Sequence, residues 1–137
     1  MGKNIVGDSW SFGGPVPGLE GAAGTTGTMT GTNKITGKPV AIQSQHGLSW
    51  TMRWTGTPTG TFSVEVSNEY DPDKNPTPGD WTQYTLTIPA GVQPAGAYPA
   101  AGSGIDLAPT SFKWARLCYT NSASTGVLTS RCHAKGY

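Results

Sequence analysis

The stretch LSWTMRWTGTPTGTFSVEV, residues 48–66, alternates apolar and polar side chains on both sides of a short linker. In its first half Leu, Trp, Met and Trp take every second position, and in its second half Phe, Val and Val do the same. A spacing of two places such side chains on one face of a β-strand. The pattern predicts strands at Leu48–Thr55 and Thr61–Asn68, which we expect to pair as a hairpin through residues 56–60.

Substitutions on the two faces of the second strand are expected to affect folding differently. Val64 belongs to the apolar set and Glu65 to the polar set. Because a charge on the buried face would disrupt the core, we expect Val64→Asp to prevent folding. Glu65→Ala, on the solvent face, is expected to be nearly silent.

The rest of the chain repeats this design in shorter pieces. With 20 Gly and 11 Pro in the sequence, long helices are disfavoured. Further strands are predicted at Ser9–Phe12, Thr28–Thr36, Val40–Ser44, Trp81–Ile88, Phe112–Thr120 and Val127–His133, the last two forming a hairpin. Residues 70–80 are expected to form a proline-rich loop and residues 89–102 a long surface crossover. Seven or eight such strands predict an all-β, jelly-roll-like two-sheet antiparallel sandwich.

The length of 137 residues is typical of one domain. Within it, residues 1–37 are rich in Gly and Thr, and their apolar residues are thinly spread. Because glycine makes backbone ordering costly, we expect this region to be an irregular N-terminal arm with weak edge strands. Residues 38–137 are expected to form the β-sandwich.

Charge is sparse and balanced along the chain. Charged residues make up 12% of the sequence, against about 25% in typical globular proteins. The net charge is +1 without a basic cluster, so we do not expect nucleic-acid binding. No apolar run is long enough for a membrane span, and the N-terminus lacks the apolar core of a signal peptide. We therefore expect synthesis in a bacterial or host cytoplasm and no membrane partner.

The two cysteines, Cys118 and Cys132, allow three interpretations. Two free thiols are what a reducing cytoplasm favours. A disulfide between neighbouring strands is the second alternative. A metal pair is the third, although two cysteines alone do not complete a four-ligand site.

The sequence lacks a catalytic motif. His46, placed before Gly47 in a predicted turn, and His133 are the two histidines. A nucleophile–histidine–acid site needs these groups in contact, and no Gly-x-Ser-x-Gly nucleophile elbow occurs. We therefore expect neither enzymatic activity nor a cofactor.

One loop has a partial calcium-binding pattern. Residues 71–75 place carboxylate or amide oxygens at the first, third and fifth positions, as an EF-hand loop does. Pro76 replaces the required glycine and Thr82 the bidentate glutamate, which breaks the match. A solvated loop of turn-forming residues is the interpretation we favour, with a weak calcium site using Glu69 or Asp80 as the alternative.

Several aromatic residues lie in weakly patterned regions: Trp10, Phe12, Tyr70, Trp81 and Tyr98. Such rings can pack into a core or against a partner protein, and they can also stack on sugars. Trp10 and Phe12 share one face of the glycine-rich arm, where they can dock on another protein.

Two segments resemble small virion proteins of bacteriophages. In FKWARLCYTNSASTGVLTSRCHAKGY, residues 112–137, an aromatic-x-Arg-Leu-x-Tyr-Thr strand precedes a Ser/Gly/Thr turn and a final strand. The matching residues are Trp114, Arg116, Leu117, Tyr119, Thr120 and the run 124–128. The middle segment, GTFSVEVSNEYDPD followed by DWTQYTLTI, is similar to the same proteins, namely the jelly-roll cement, or decoration, proteins of tailed-phage heads.

The resemblance implies a non-enzymatic virion component on the capsid exterior, made in the host bacterial cytoplasm. Such a protein binds the outer surface of the major capsid protein and stabilises the head, and we expect a homo-oligomer, dimer or trimer, on the capsid. The arm and the crossover loops are expected to touch the partner. The resemblance does not cover the first 37 residues, and the candidate contact residues are our own expectation: Lys3, Trp10, Phe12, Lys34 and Tyr98. The alternative function is a carbohydrate-binding β-sandwich module of a phage tail or fibre.

Overall fold

A computed structural model provides the structure of the chain. The residues that it describes are 8–10, 19–20, 27–42, 45–71, 73–74, 77, 79–108 and 110–136. For residues 8–10, 19–20, 45–46 and 133–136 the description covers the backbone.

Strands dominate the described part of the chain. They are β1 (Asp8–Trp10), β2 (Leu19–Glu20), β3 (Thr28–Met29), β4 (Lys34–Gly37), β5 (Val40–Ala41), β6 (Gln45–Gly56), β7 (Thr59–Ser67), β8 (Thr82–Gln83), β9 (Ser103–Leu107), β10 (Trp114–Ala123) and β11 (Gly126–Gly136). A single 3-10 turn at Ala90–Val92 is the helical element among the described residues. No helix described here has the length and apolar character needed to span a membrane.

The strands form two antiparallel sheets that pack face to face. The first runs β1-β11-β6-β9, with β3 also beside β11, and the second runs β2-β4-β10-β7-β8, with β5 also beside β10. Between consecutive strands the chain changes sheet at every connection except β4–β5 and β7–β8. Repeated crossing between two antiparallel sheets around one core is typical of a jelly-roll-like sandwich. The predicted fold class is confirmed.

The core lies between the sheets and follows the predicted alternation. In β6 the side chains of Leu48, Trp50, Met52 and Trp54 are buried, and in β7 those of Phe62, Val64 and Val66 are buried. Inward side chains of β10 and β11 complete the core, among them Leu117, Tyr119 and Leu128. Burial of each large apolar side chain stabilises the fold by about 1.5–3 kcal/mol.

The predicted pairing of the strands in 48–68 is wrong. β6 lies between β11 and β9 in the first sheet, whereas β7 lies between β10 and β8 in the second. The linker therefore forms a corner between sheets and not a hairpin turn. Gly56 adopts a φ of 75° there, Pro58 is fully buried, and the Thr57 amide donates to the Thr125 carbonyl at 3.2 Å.

The predicted hairpin of Phe112–Thr120 with Val127–His133 is wrong for the same reason. β10 pairs with β7 and β4, and β11 pairs with β6. Asn121 holds this corner, since its Nδ2 donates to the carbonyl oxygens of Gly31 (2.9 Å) and Ser124 (3.0 Å). Its Oδ1 accepts a hydrogen bond from the Tyr119 hydroxyl at 2.8 Å. Side-chain bonds of this kind leave little trace in a hydrophobic pattern.

In residues 81–88, after the proline-rich loop, the predicted apolar side chains face the core, but most of the predicted strand hydrogen bonding is missing. A strand was expected over Trp81–Ile88, and β8 covers only Thr82–Gln83. Tyr84, Leu86 and Ile88 still pack against the core. The crossover 89–102 then contains the 3-10 turn and leads into β9, a short strand that the sequence pattern did not predict.

Strands near the N-terminus lie in both sheets. β1 pairs with β11, and β2 pairs with β4. The single strand expected at Thr28–Thr36 is two, β3 and β4, in opposite sheets, with a turn between them at Gly31. Met29 and Ile35 belong to the core, so residues 27–37 are part of the sandwich. Of the predicted strand Val40–Ser44, Val40–Ala41 is β5, and its last two residues lie outside the description.

The cysteines are buried free thiols. Cys132 lies opposite Trp50 and belongs to the core. Cys118 lies opposite Ser63, on the outward face of the second sheet. The disulfide alternative is wrong because the two side chains point to different faces of different sheets. Burial raises the pKa of both thiols to about 12.

Candidate binding surface

The structure separates the predicted contact residues. Lys34 lies in β4 on the second sheet, and Tyr98 lies in the crossover beside Trp54 of the first sheet. Trp10 lies in β1, where its backbone faces Cys132, and its side chain is outside the description. Lys3 and Phe12 also fall outside the described residues. The predicted set is therefore not one site in the part of the chain that is described.

A compact cluster lies on the outward face of the second sheet, and we call it the Trp81 patch. Its members are Lys34, Glu65, Tyr70, Trp81, Trp114 and Arg116. The β10–β7 register places Arg116 directly opposite Glu65. Lys34, on the other side of β10, crosses that strand next to Cys118 to reach the same carboxylate. Three neighbouring strands thus contribute one charge each.

Glu65 is the centre of the charged half of the patch. Its Oε2 lies 2.8 Å from Lys34 Nζ, and its Oε1 accepts from Arg116 Nε at 2.8 Å and Nη2 at 2.6 Å. The Glu65 side chain is 14% exposed, whereas Lys34 is 48% exposed. Burial by itself would raise the pKa of Glu65, but the hydrogen bonds from Lys34 and Arg116 lower it below its ordinary value. Glu65 is therefore not a free side chain on a solvent face.

The aromatic half of the patch is stacked on Arg116. The guanidinium carbon of Arg116 lies 4.2 Å from the centroid of the Trp81 ring. Tyr70 contacts both tryptophans, with centroid distances of 5.3 Å to Trp81 and 4.9 Å to Trp114. All these rings are half-buried. Arginine over tryptophan is a favourable cation–π geometry, so the charged and aromatic halves hold each other in place.

The chain after β7 carries the aromatic rings into position. Ser67 Oγ accepts hydrogen bonds from the amides of Glu69 (3.0 Å) and Tyr70 (2.9 Å), which turns the chain back over the sheet. Asn68 Oδ1 accepts from the Lys113 amide at 3.0 Å and anchors the loop to the start of β10.

Carboxylates of the proline-rich loop accept hydrogen bonds from amides of the same loop and so stabilise its turns. Asp71 Oδ1 accepts from the Asp73 amide at 2.9 Å, and Asp80 Oδ2 accepts from the Thr77 amide at 2.8 Å. Across the described residues, no three metal-ligating side chains lie close enough together to hold an ion. The geometry favours the interpretation of this segment as a turn-rich loop.

The histidines lie in strands. The turn predicted around His46 is wrong, because β6 begins at Gln45. His133 lies in β11 opposite Ser49. The side chains of both histidines are outside the description.

A scan of protein-family models and a search of curated proteins found no match to this chain. The sequence singled out Lys34, Tyr70 and Trp81, but it did not join them to Glu65 and Arg116. Arg116 and Glu65 are 51 positions apart in the sequence, and only the register of β7 on β10 brings them together.

Proposed function

We propose that this protein is a virion structural protein without enzymatic activity, which binds the outer surface of the major capsid protein and cements or decorates a phage head. The Trp81 patch is its principal contact surface. On the capsid exterior, copies of the protein associate as a dimer or trimer.

The composition and order of the Trp81 patch support this proposal most directly. Trp, Tyr and Arg are the residue types that most often dominate the energy of protein–protein interfaces. Here they occur together on a sheet face whose other outward positions include Thr61, Ser63 and Thr120. A partner can therefore bury a continuous aromatic and guanidinium surface framed by small hydroxyl side chains.

Pre-organisation of the patch adds to the argument. Ordering a long side chain on binding costs about 0.5–1.5 kcal/mol. Arg116 is already fixed by Glu65 on one side and by Trp81 on the other. Much of this cost is therefore met in the free protein, and a modest contact area suffices. On a capsid the contact repeats many times, so weak individual contacts accumulate.

Co-sedimentation with phage heads that lack this protein tests the proposal. Trp81→Ala should lower the affinity for heads by about thirtyfold or more, as expected for a hot-spot residue worth 2 kcal/mol or more. Val127→Ala, which shortens an exposed apolar side chain on the first sheet, is the matched control and should bind as the parent does. Thermal melting of both variants checks that the domain remains folded.

Head binding by Trp81→Ala at parental affinity would contradict the role of the patch. A parent protein that does not sediment with heads, yet binds members of a glycan array, would favour the carbohydrate-binding alternative. In that alternative a sugar must stack on an aromatic ring, and one face of Trp81 is already covered by Arg116.

A further inference from the structure

A second surface lies on the outward face of the first sheet. The β6–β11 register places Arg53 opposite Thr129 and Arg131 opposite Thr51. The two arginines are therefore diagonal neighbours on one face, with a backbone separation of about 7–8 Å. A groove of about 320 Å³ lies among them, with Tyr98 at its wall.

The groove is positively charged. Its described lining contains both arginines and no acidic residue that would compensate them. Among the described residues, neither Arg53 nor Arg131 takes part in an ion pair, in contrast to Arg116. The nearest acid in register on this face, Asp106, lies on β9 opposite Ser49 and outside the groove.

Within the described part of the chain, the Arg53 guanidinium is held by stacking and makes no hydrogen bond. Its guanidinium carbon lies 5.2 Å from the centroid of the Tyr98 ring, and that ring packs edge-on against Trp54 at 5.0 Å. Stacking fixes the plane of the guanidinium group and leaves its N–H donors available. Thr129 Oγ1, in the same groove, donates to the Arg53 carbonyl at 3.2 Å.

We propose that this groove binds an extended acidic segment of a partner protein, with carboxylates at alternate positions. Planar guanidinium groups match carboxylates in a two-pronged geometry. In an extended chain, side chains two residues apart point the same way at a spacing of about 6.4–6.8 Å, which is close to the separation of the two arginines. Arg53 and Arg131 each take one carboxylate, and the threonine side chains between them accommodate the partner's backbone.

The groove and the Trp81 patch face opposite ways from the sandwich. A protein with both can hold two partners at once. The assignment of the acidic segment to a neighbouring capsid subunit rests on the proposed function, whereas the affinity of the groove for acidic peptides does not.

Calorimetric titration of the full chain at low salt tests the inference. The probe is a synthetic peptide that alternates threonine and glutamate, and the control peptide has glutamine in place of each glutamate. The parent should bind the glutamate peptide at least tenfold more tightly than the control peptide. Arg53→Gln and Arg131→Gln should each weaken binding about tenfold, the loss expected for a hydrogen-bonded charge pair.

Lys113→Gln is the matched variant, since it removes one exposed positive charge just before β10, outside the groove, and it should bind the glutamate peptide within twofold of the parent. Equal binding of both peptides, or undiminished binding by the two arginine variants, would overturn the inference. Tighter binding of a sulfated oligosaccharide at the same arginines would assign the groove to acidic sugars instead. Because no phage head enters this experiment, its failure is distinct from failure of the proposed function.

Discussion

At Glu65, two opposing effects act on one carboxyl group. Burial disfavours the charged form, whereas Lys34 and Arg116 stabilise it, and the net effect is a lowered pKa. The carboxylate in the folded protein therefore binds its proton less readily than in the unfolded chain, where the pKa is about 4.3. A group of this kind stabilises the fold at pH values above its unfolded pKa, and this contribution is lost as the pH falls through the folded pKa.

We therefore expect Glu65→Ala to destabilise the protein by about 1–3 kcal/mol at pH 7, because hydrogen bonds to charged groups are lost. This replaces the expectation of a nearly silent substitution. Chemical denaturation between pH 7 and pH 3 should show the difference between parent and variant shrinking below about pH 4.3. Glu69→Ala, which removes an exposed carboxylate without an ion pair to the described residues, is the control. A pH-independent difference would contradict this role of Glu65.

At the scale of elements, the corners between sheets determine the topology. Gly56 ends β6 with a φ of 75°, in the left-handed region, and an added Cβ would meet the carbonyl oxygen of Thr125. The β6–β7 and β10–β11 corners therefore touch through backbone atoms. Any side chain at Gly56 would therefore push the β6–β7 and β10–β11 corners apart.

Gly56→Ala should destabilise the protein by at least about 1–2 kcal/mol, the usual cost of a left-handed conformation for a residue with a Cβ. Gly91→Ala is the matched control, since Gly91 lies in the 3-10 turn with open space around it. It should be neutral or stabilise by up to about 1 kcal/mol. Denaturant unfolding of both variants measures the difference, and equal stability would show that the corner does not restrict this position.

The sequence predicts which face of a strand is buried better than it predicts which strands pair. Alternation placed Trp50 and Val64 in the core correctly, because a spacing of two depends on local geometry alone. It could not distinguish a corner from a hairpin at residues 56–60, because a short Gly/Pro linker suits both. β9 escaped prediction because its five residues follow a long Gly/Ala/Pro-rich crossover. Pairing of distant strands depends on tertiary packing, which no local pattern contains.

The same limit applies to the binding surfaces. Lys34 and Trp81 could be singled out by residue type in the sequence. The ion pairs at Glu65 and the diagonal of Arg53 and Arg131 arise from strand registers, and neither register follows from the predicted hairpins. Surface chemistry in this fold is therefore set by which outward positions neighbouring strands bring together.

At the scale of the whole molecule, the two sheets of the sandwich present outer faces with different chemistry. One carries the Trp81 patch, in which charges are paired and rings are stacked. The other carries a groove with two arginines that form no ion pair with the described residues. Under the proposed function, the two dissimilar faces let one copy contact two neighbouring proteins, and repetition on a lattice multiplies the strength of these contacts.

Under the proposed function this chain belongs to a phage particle, and cryo-microscopy of that particle tests the central claim most directly. The account predicts jelly-roll density repeated over the outside of the head lattice, with the Trp81 patch against the major capsid protein. A head lattice without this density, or density in which the Trp81 patch faces solvent, would contradict it.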